Sequence, residues 1–229
     1  MHIIILGQGA KIAPCLHYYT MNKNSIIFLI LLSATLIVGF VSKEFLDTNS
    51  LLLTSIAEQF TSEEINEIIS FQDKLQLASY VIIPILLLMK ISIISVIIDI
   101  GCFFFNKKIK YKKLFNIVMK AEYIFLLVII FKTGWFYFFQ INYTLEDLQY
   151  FYPLSVLNIV GYEGVQPWFI YPFQVLNLFE LTYWFFLSYL LSKELKITTD
   201  KGLQIVASSY GAALLIWVVG FMFFNLNMS

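Results

Sequence analysis

Residues 106–113, NKKIKYKK, carry five lysines and no acid. They follow LQLASYVIIPILLLMKISIISVIIDIGCFFF, residues 75–105, and precede LFNIVMKAEYIFLLVIIFKTGWFYFF, residues 114–139. Both flanks are mostly apolar and longer than the roughly 20 residues that cross a bilayer. Together the three pieces read as a transmembrane hairpin with a basic tip, formed by Lys107, Lys108, Lys110, Lys112 and Lys113.

The rest of the chain follows the same pattern. Of its 229 residues 59% are hydrophobic, against about 45–50% in a soluble domain. The expected fold class is therefore all-α: a polytopic membrane helical bundle with five transmembrane helices and one short external amphipathic helix. The spans are placed near 25–41, 78–105, 114–136, 168–191 and 203–224, in one membrane domain, 25–229. Residues 1–24 are expected to be a poorly ordered N-terminal extension, as untied termini commonly are. Ser25–Val41 reads as a retained first span, because no small-x-small cleavage site follows it.

The loops divide by charge. The N-terminus, the 106–113 tip and the 192–202 loop hold ten lysines and only Glu194 and Asp200 as acids. The opposite loops, 42–74 and 137–167, hold two lysines and ten acids. The positive-inside rule places the lysine-rich side in the cytoplasm and the C-terminus outside. The expected location is a cell inner (plasma) membrane, crossed several times.

Both external loops carry local signals. Thr61 and Glu64 form a capping-box pattern, and Ile65, Ile68 and Ile69 share one helical face beyond it. The second loop is aromatic, from Tyr137 to Tyr162, with Thr144 as a candidate cap and Gly161, Gly164 and Pro167 as turn marks. Such a segment suits headgroup depth. Pro84 is expected to kink the second span.

Six charges fall within the spans: Lys90, Asp99, Lys120, Glu122, Lys132 and Glu180. Intramembrane charges cost about 2.5–3.5 kcal/mol each on insertion scales and call for partners. Asp99 and Lys120 each lie seven residues from the hairpin tip, so they are expected to pair at equal depth, with Glu122 sharing Lys120. Lys90 and Glu180 are the candidate central pair. Two readings apply to them: a proton or ion relay, or a structural role, either as a buried pair that fixes helix registry or with a neutral Glu180 hydrogen-bonded to a neighbour. Lys132, near the external end, is expected to snorkel. In the last span Ala207/Gly211 and Ser208/Ala212 have small-xxx-small spacing, which permits close helix contact.

Several classes are excluded by residue type. All 15 basic residues are lysine, so there is no guanidinium to clamp phosphate, and nucleic-acid binding is not expected. The histidines, His2 and His17, precede the first span, and there is no HExxH or GxSxG pattern. Cys15 and Cys102 have no metal-binding spacing. Gly7-Gln8-Gly9 lacks the third glycine of a dinucleotide loop. Glu63-Glu64 matches the paired glutamates of CAAX-type intramembrane proteases, without their arginine and histidines. No enzyme activity, cofactor or metal is expected.

The layout of 75–224 resembles the Yip family of five-span membrane proteins, in particular its bacterial branch. The matching parts are the two spans around a short basic loop, the aromatic segment, Leu178-Phe179-Glu180-Leu181-Thr182-Tyr183-Trp184, and Lys201-Gly202 before the last span. The chain shows no counterpart of the long cytosolic region of the eukaryotic members, so GTPase binding is not implied. The resemblance implies a non-enzymatic protein acting through protein or lipid contacts. Expected partners are the bilayer, anionic lipid at the basic tip at up to about 1 kcal/mol per lysine, and a membrane-protein partner. The alternative is a small transporter subunit using Lys90 and Glu180. The lysine-only usage, with many Ile, Phe and Asn, suits a bacterium with an AT-rich genome.

Overall fold

A computed structural model describes residues 23–56 and 60–228. Most of the expected extension, including Lys11, Cys15 and His17, lies outside the described residues, as does Glu58. The described residues are helical, with no strand among them; one isolated antiparallel bridge joins Ser155 and Asn177.

The helices are α1 (Lys23–Phe45), α2 (Thr48–Ile56), α3 (Ser62–Phe104), α4 (Tyr111–Ala121) and α5 (Tyr123–Phe138). Short helices α6 (Leu145–Tyr150), α7 (Val156–Val160) and α8 (Pro167–Val175) follow. Then come α9 (Leu178–Leu195), α10 (Thr199–Val206), a π-helical turn (Ala207–Gly211) and α11 (Ala212–Met228).

Four helical stretches are long and apolar enough to cross a membrane: Asn24–Phe45, Ala78–Phe104, Tyr111–Phe138 and Thr199–Asn227. They agree with four of the expected spans and are compatible with an integral membrane protein. Their outward faces are apolar, with Val81, Ile85, Leu215 and Ile216 all more than half exposed. In water such surfaces would be unusual; in lipid they are the solvated state.

The expected fourth span, 168–191, does not form as one helix. Leu176 leaves the helical conformation and Asn177 is extended between α8 and α9. Here the chain pairs with a loop: the Val156 N–H donates to the Leu176 carbonyl (2.9 Å), and the Leu178 N–H to the Leu154 carbonyl (3.2 Å). The Asn177 side chain then caps α9, accepting the Glu180 N–H at 2.8 Å.

The separate external helix is also corrected. Its capping box forms, with the Thr61 N–H donating to Glu64 Oε2 at 2.8 Å. The helix that starts there runs on into the second span, because no Gly or Pro separates Ser62 from Ile83. The result is the 43-residue α3, about 65 Å long at 1.5 Å per residue. Pro84 lies inside it. The Ile65/Ile68/Ile69 stripe continues as Gln72 and Gln76, which bond Asn49 (3.4 Å) and Lys43 (2.7 Å).

α4 packs against α3 and α9, and α5 against α1 and α9; α10 packs on α9, and α11 on α8. The buried core lies toward the basic tip, including Ile91, Ile98, Leu114, Val118, Leu187, Leu191 and Ile205. Close approach there uses small residues. A Cβ on Gly101 would lie 2.6 Å from Ser209 Cβ, and one on Gly211 would lie 2.4 Å from the Trp184 ring. The small-xxx-small expectation is thus met at Gly211, against Trp184 of the same chain.

The lysine-rich ends gather at one end of the bundle. Lys113 forms an ion pair with Glu194 at the end of α9. Asn24, at the start of α1, donates to the Lys112 carbonyl (3.2 Å) and accepts from Asn116 (2.9 Å).

Candidate functional site

Four elements each bring a polar side chain to one layer of the bundle. Lys90 sits near the middle of the apolar stretch 78–104, Glu122 near the middle of 111–138, and Tyr210 near the middle of 199–227. Tyr183 and Glu180 come from α9, between them.

Lys90 Nζ donates to Glu122 Oε2 at 2.7 Å. The ammonium also lies 4.0 Å from the centre of the Phe125 ring, a favourable cation–π position. Glu122 is 4% exposed, and its second oxygen, Oε1, accepts the Tyr183 hydroxyl at 3.2 Å. Tyr183 is fully buried; its ring packs on Phe125 at 4.9 Å and on Tyr210 at 5.4 Å. Both oxygens of the buried carboxylate are therefore satisfied, as burial demands.

Glu180 has a different environment. Its Oε1 accepts from Trp184 Nε1 and from the Tyr210 hydroxyl, each at 2.9 Å. It forms no ion pair among the described residues.

The backbone departs from α-geometry in three helices at this layer. The third span tightens at Glu122, where the Phe125 N–H reaches the Glu122 carbonyl at 3.1 Å, an i to i+3 contact. The last span widens into the π-turn that carries Tyr210. The fourth breaks at Asn177, three residues before Glu180. Single π-turns inside α-helices are frequent at functional sites.

This geometry changes two expected pairings. Lys90 pairs with Glu122 rather than Glu180, because α4 lies against both α3 and α9 and its carboxylate is reached first. Among the described residues Asp99 and Lys120 form no ion pair, and Glu122 is paired with Lys90 and not shared with Lys120. Equal depth does not set direction around the helix. Asp99 lies nine residues beyond Lys90, about two and a half turns, so it faces away from α4. Lys120 lies two residues before Glu122, about 200° around α4, so it faces away from α3. Asp99 is exposed. Lys132 donates to the Leu148 carbonyl, tying α5 to α6. Lys107, Lys108 and Lys110 lie between α3 and α4, and Lys112 and Lys113 in the first turn of α4; all but Lys107 are exposed.

Tyr183, Trp184 and Tyr210 were not singled out as donors from the sequence. One signal was present: Glu180 and Trp184 are four apart, a spacing that brings side chains together on a helix. Another was Asn177, three residues before Glu180, the spacing of a helix start.

The α6 segment is held by ordinary capping chemistry. Asp147 Oδ2 accepts the Thr144 N–H (2.8 Å) and hydroxyl (2.9 Å), and Oδ1 accepts the Tyr162 hydroxyl (3.3 Å). The Thr144 backbone N–H foremost, helped by the Thr144 and Tyr162 hydroxyls, holds Asp147 below the usual carboxylate range against the opposing effect of burial. Burial pushes the Tyr152 phenol, in the loop before α7, up to about 12.

Among the described residues no group of three His, Cys, Asp or Glu is placed to hold a metal ion. No protein-family model, curated protein or solved structure matches the chain.

Proposed function

We propose that this chain is a non-enzymatic, five-span protein of a bacterial inner membrane, Yip-like in layout, that serves membrane organisation or a larger membrane complex as an accessory subunit. The observation that carries this reading is the uneven cover of α3. From Ile91 to Cys102 the helix is buried on one face, at Ile91, Ile94, Ser95, Ile98 and Cys102. From Tyr80 to Met89 no residue is buried, and Val81, Ile82, Ile85, Leu86 and Met89 are about half exposed. A bundle built to act alone would cover a central helix along its length; this one leaves half of it to other apolar molecules in the membrane.

Five crossings with the N-terminus cytoplasmic are supported by the gathering of lysine-bearing ends at one end of the bundle, and by the contacts of α9 along α10. The basic tip then faces anionic lipid, which adds a second kind of partner. The Lys90–Glu122 pair acts in this reading as a registry pin between α3 and the third span.

A specific observation also favours the alternative, a small transporter subunit. Discontinuous helices whose ends point at polar groups are a recurring feature of transport sites, and α8–α9 breaks beside Glu180.

The accessory reading is tested by placing a photo-crosslinking residue at Leu86, with buried Ile98 as the control position, in cells. One discrete protein adduct of fixed mass from position 86, absent from position 98, is the expected result. Adducts with lipid alone at position 86 would remove the support for a protein partner.

A further inference from the structure

The mid-bundle layer holds two carboxylates, Glu122 and Glu180, and one lysine in bonding contact with the first. Lys90 is committed to Glu122 at 2.7 Å, and the other Glu122 oxygen is taken by Tyr183. Glu180 is left with neutral donors only, the Trp184 indole and the Tyr210 hydroxyl, both on Oε1. Among the described residues no donor reaches its Oε2. Its bond to Tyr210 fixes its depth near the middle of the last apolar stretch. An unpaired carboxylate at such depth is expensive, whereas a neutral acid is not.

From this arrangement we propose that Glu180 is a proton-binding site: at neutral pH it holds a proton on Oε2 and sits in the bundle as a neutral carboxylic acid. The step is the simple one, in which a proton from water joins the carboxylate and no other bond breaks. The arrangement suits the acid form. Oε1 plays the carbonyl oxygen and accepts two hydrogen bonds, while Oε2 carries the hydrogen. The helix break at Leu176–Asn177 lies three residues away; its backbone pairs with the 154–156 loop, and the Asn177 side chain starts the new helix. The titratable groups that face the site are Tyr210 of the π-turn, Tyr183 of α9, Tyr152 of the preceding loop, Tyr171 of α8 and, across Tyr183, Glu122 with its partner Lys90. The lysine is held by Glu122 and the four tyrosines are phenols, so proton uptake at neutral pH falls to Glu180. This inference is independent of the accessory reading; it concerns what the layer binds, whichever partner the outside of α3 meets.

The test is infrared spectroscopy of the purified full chain in lipid nanodiscs, reading the carbonyl stretch of a protonated carboxylic acid at neutral pH. One such band is expected, shifting when water is exchanged for deuterium oxide, lost in Glu180→Gln and retained in Glu122→Gln. Glu180→Gln keeps an acceptor for Trp184 and Tyr210, so the fold is expected to survive. If either glutamine variant fails to assemble, Trp184→Phe decides: it removes one hydrogen bond to Oε1 and should move the band to higher frequency. A band absent from the wild type at neutral pH, undiminished in Glu180→Gln, or unmoved in Trp184→Phe would overturn the proposal. A linked readout is stability. The folded chain keeps a proton that the unfolded chain releases, so the melting temperature of the wild type should fall relative to Glu180→Gln as pH rises; parallel curves would count against the site.

Discussion

Glu122 and Glu180 occupy the same layer of one bundle and meet opposite company. Glu122, at the α4–α5 junction, is buried against a lysine and a tyrosine, one on each oxygen. Glu180, at the start of α9, meets an indole and a phenol on a single oxygen. The first junction is a closed ion pair, and its worth lies in fixing how α3 sits on the third span. The second is held together by neutral donors, so its bonding survives a change of protonation. Two carboxylates of one layer, Glu122 buried and Glu180 partly so, thus meet different neighbours.

The largest effect should come from opening the ion pair. Lys90→Met leaves Glu122 buried without its cation, and a loss of roughly 3–5 kcal/mol is expected. Unfolding in detergent should show it, with Lys90→Met/Glu122→Leu recovering most of the loss because no charge is then stranded. Gly211→Ala is expected to cost about 1–3 kcal/mol, since the added methyl meets the Trp184 ring at 2.4 Å. A change in tryptophan fluorescence should accompany it as the indole leaves Glu180. Tyr183→Phe removes one hydrogen bond from Glu122 and should cost about 1–3 kcal/mol, the penalty of an under-satisfied buried acceptor; thermal unfolding would read this.

The smallest effect lies outside the layer. Thr144→Ala should loosen α6 by about 1 kcal/mol, as the loss of an N-cap does, visible as faster amide exchange in residues 145–150. The Asp147 carboxyl is held below its ordinary value of 3.8. Its contribution is therefore complete above that ordinary value and is lost as pH falls through the lowered one. Acidification should speed exchange in α6 of the wild type, and do so less in Asp147→Asn.

The apolar stretches were legible in the sequence because lipid imposes one rule on long helices, and Leu, Ile, Val and Phe report it directly. The capping boxes at Thr61 and Thr144 were legible because their chemistry is local. The continuity of α3 was hidden by the change from polar to apolar at Leu75, which marks an environment and not a helix end. The break in the fourth span was obscured in the opposite way. Phe169 to Leu191 reads as apolar throughout, and only Asn177 with Glu180 carries the signal of a new helix start. Depths of the charged residues followed from counting, but their partners did not. Pairing depends on direction around each helix and on which helices touch, and close contacts such as Gly101 on Ser209 and Gly211 on Trp184 form only in the packed bundle.

The central claim is that Lys90 belongs to Glu122 and that Glu180 stands apart from it. Two double-mutant cycles on unfolding free energy, Lys90→Met with Glu122→Gln and Lys90→Met with Glu180→Gln, test it most directly. The expected result is a coupling at the upper end of the usual 0.5–3 kcal/mol range for the first cycle and about 0.5 kcal/mol or less for the second. A larger coupling between Lys90 and Glu180 than between Lys90 and Glu122 would contradict the account.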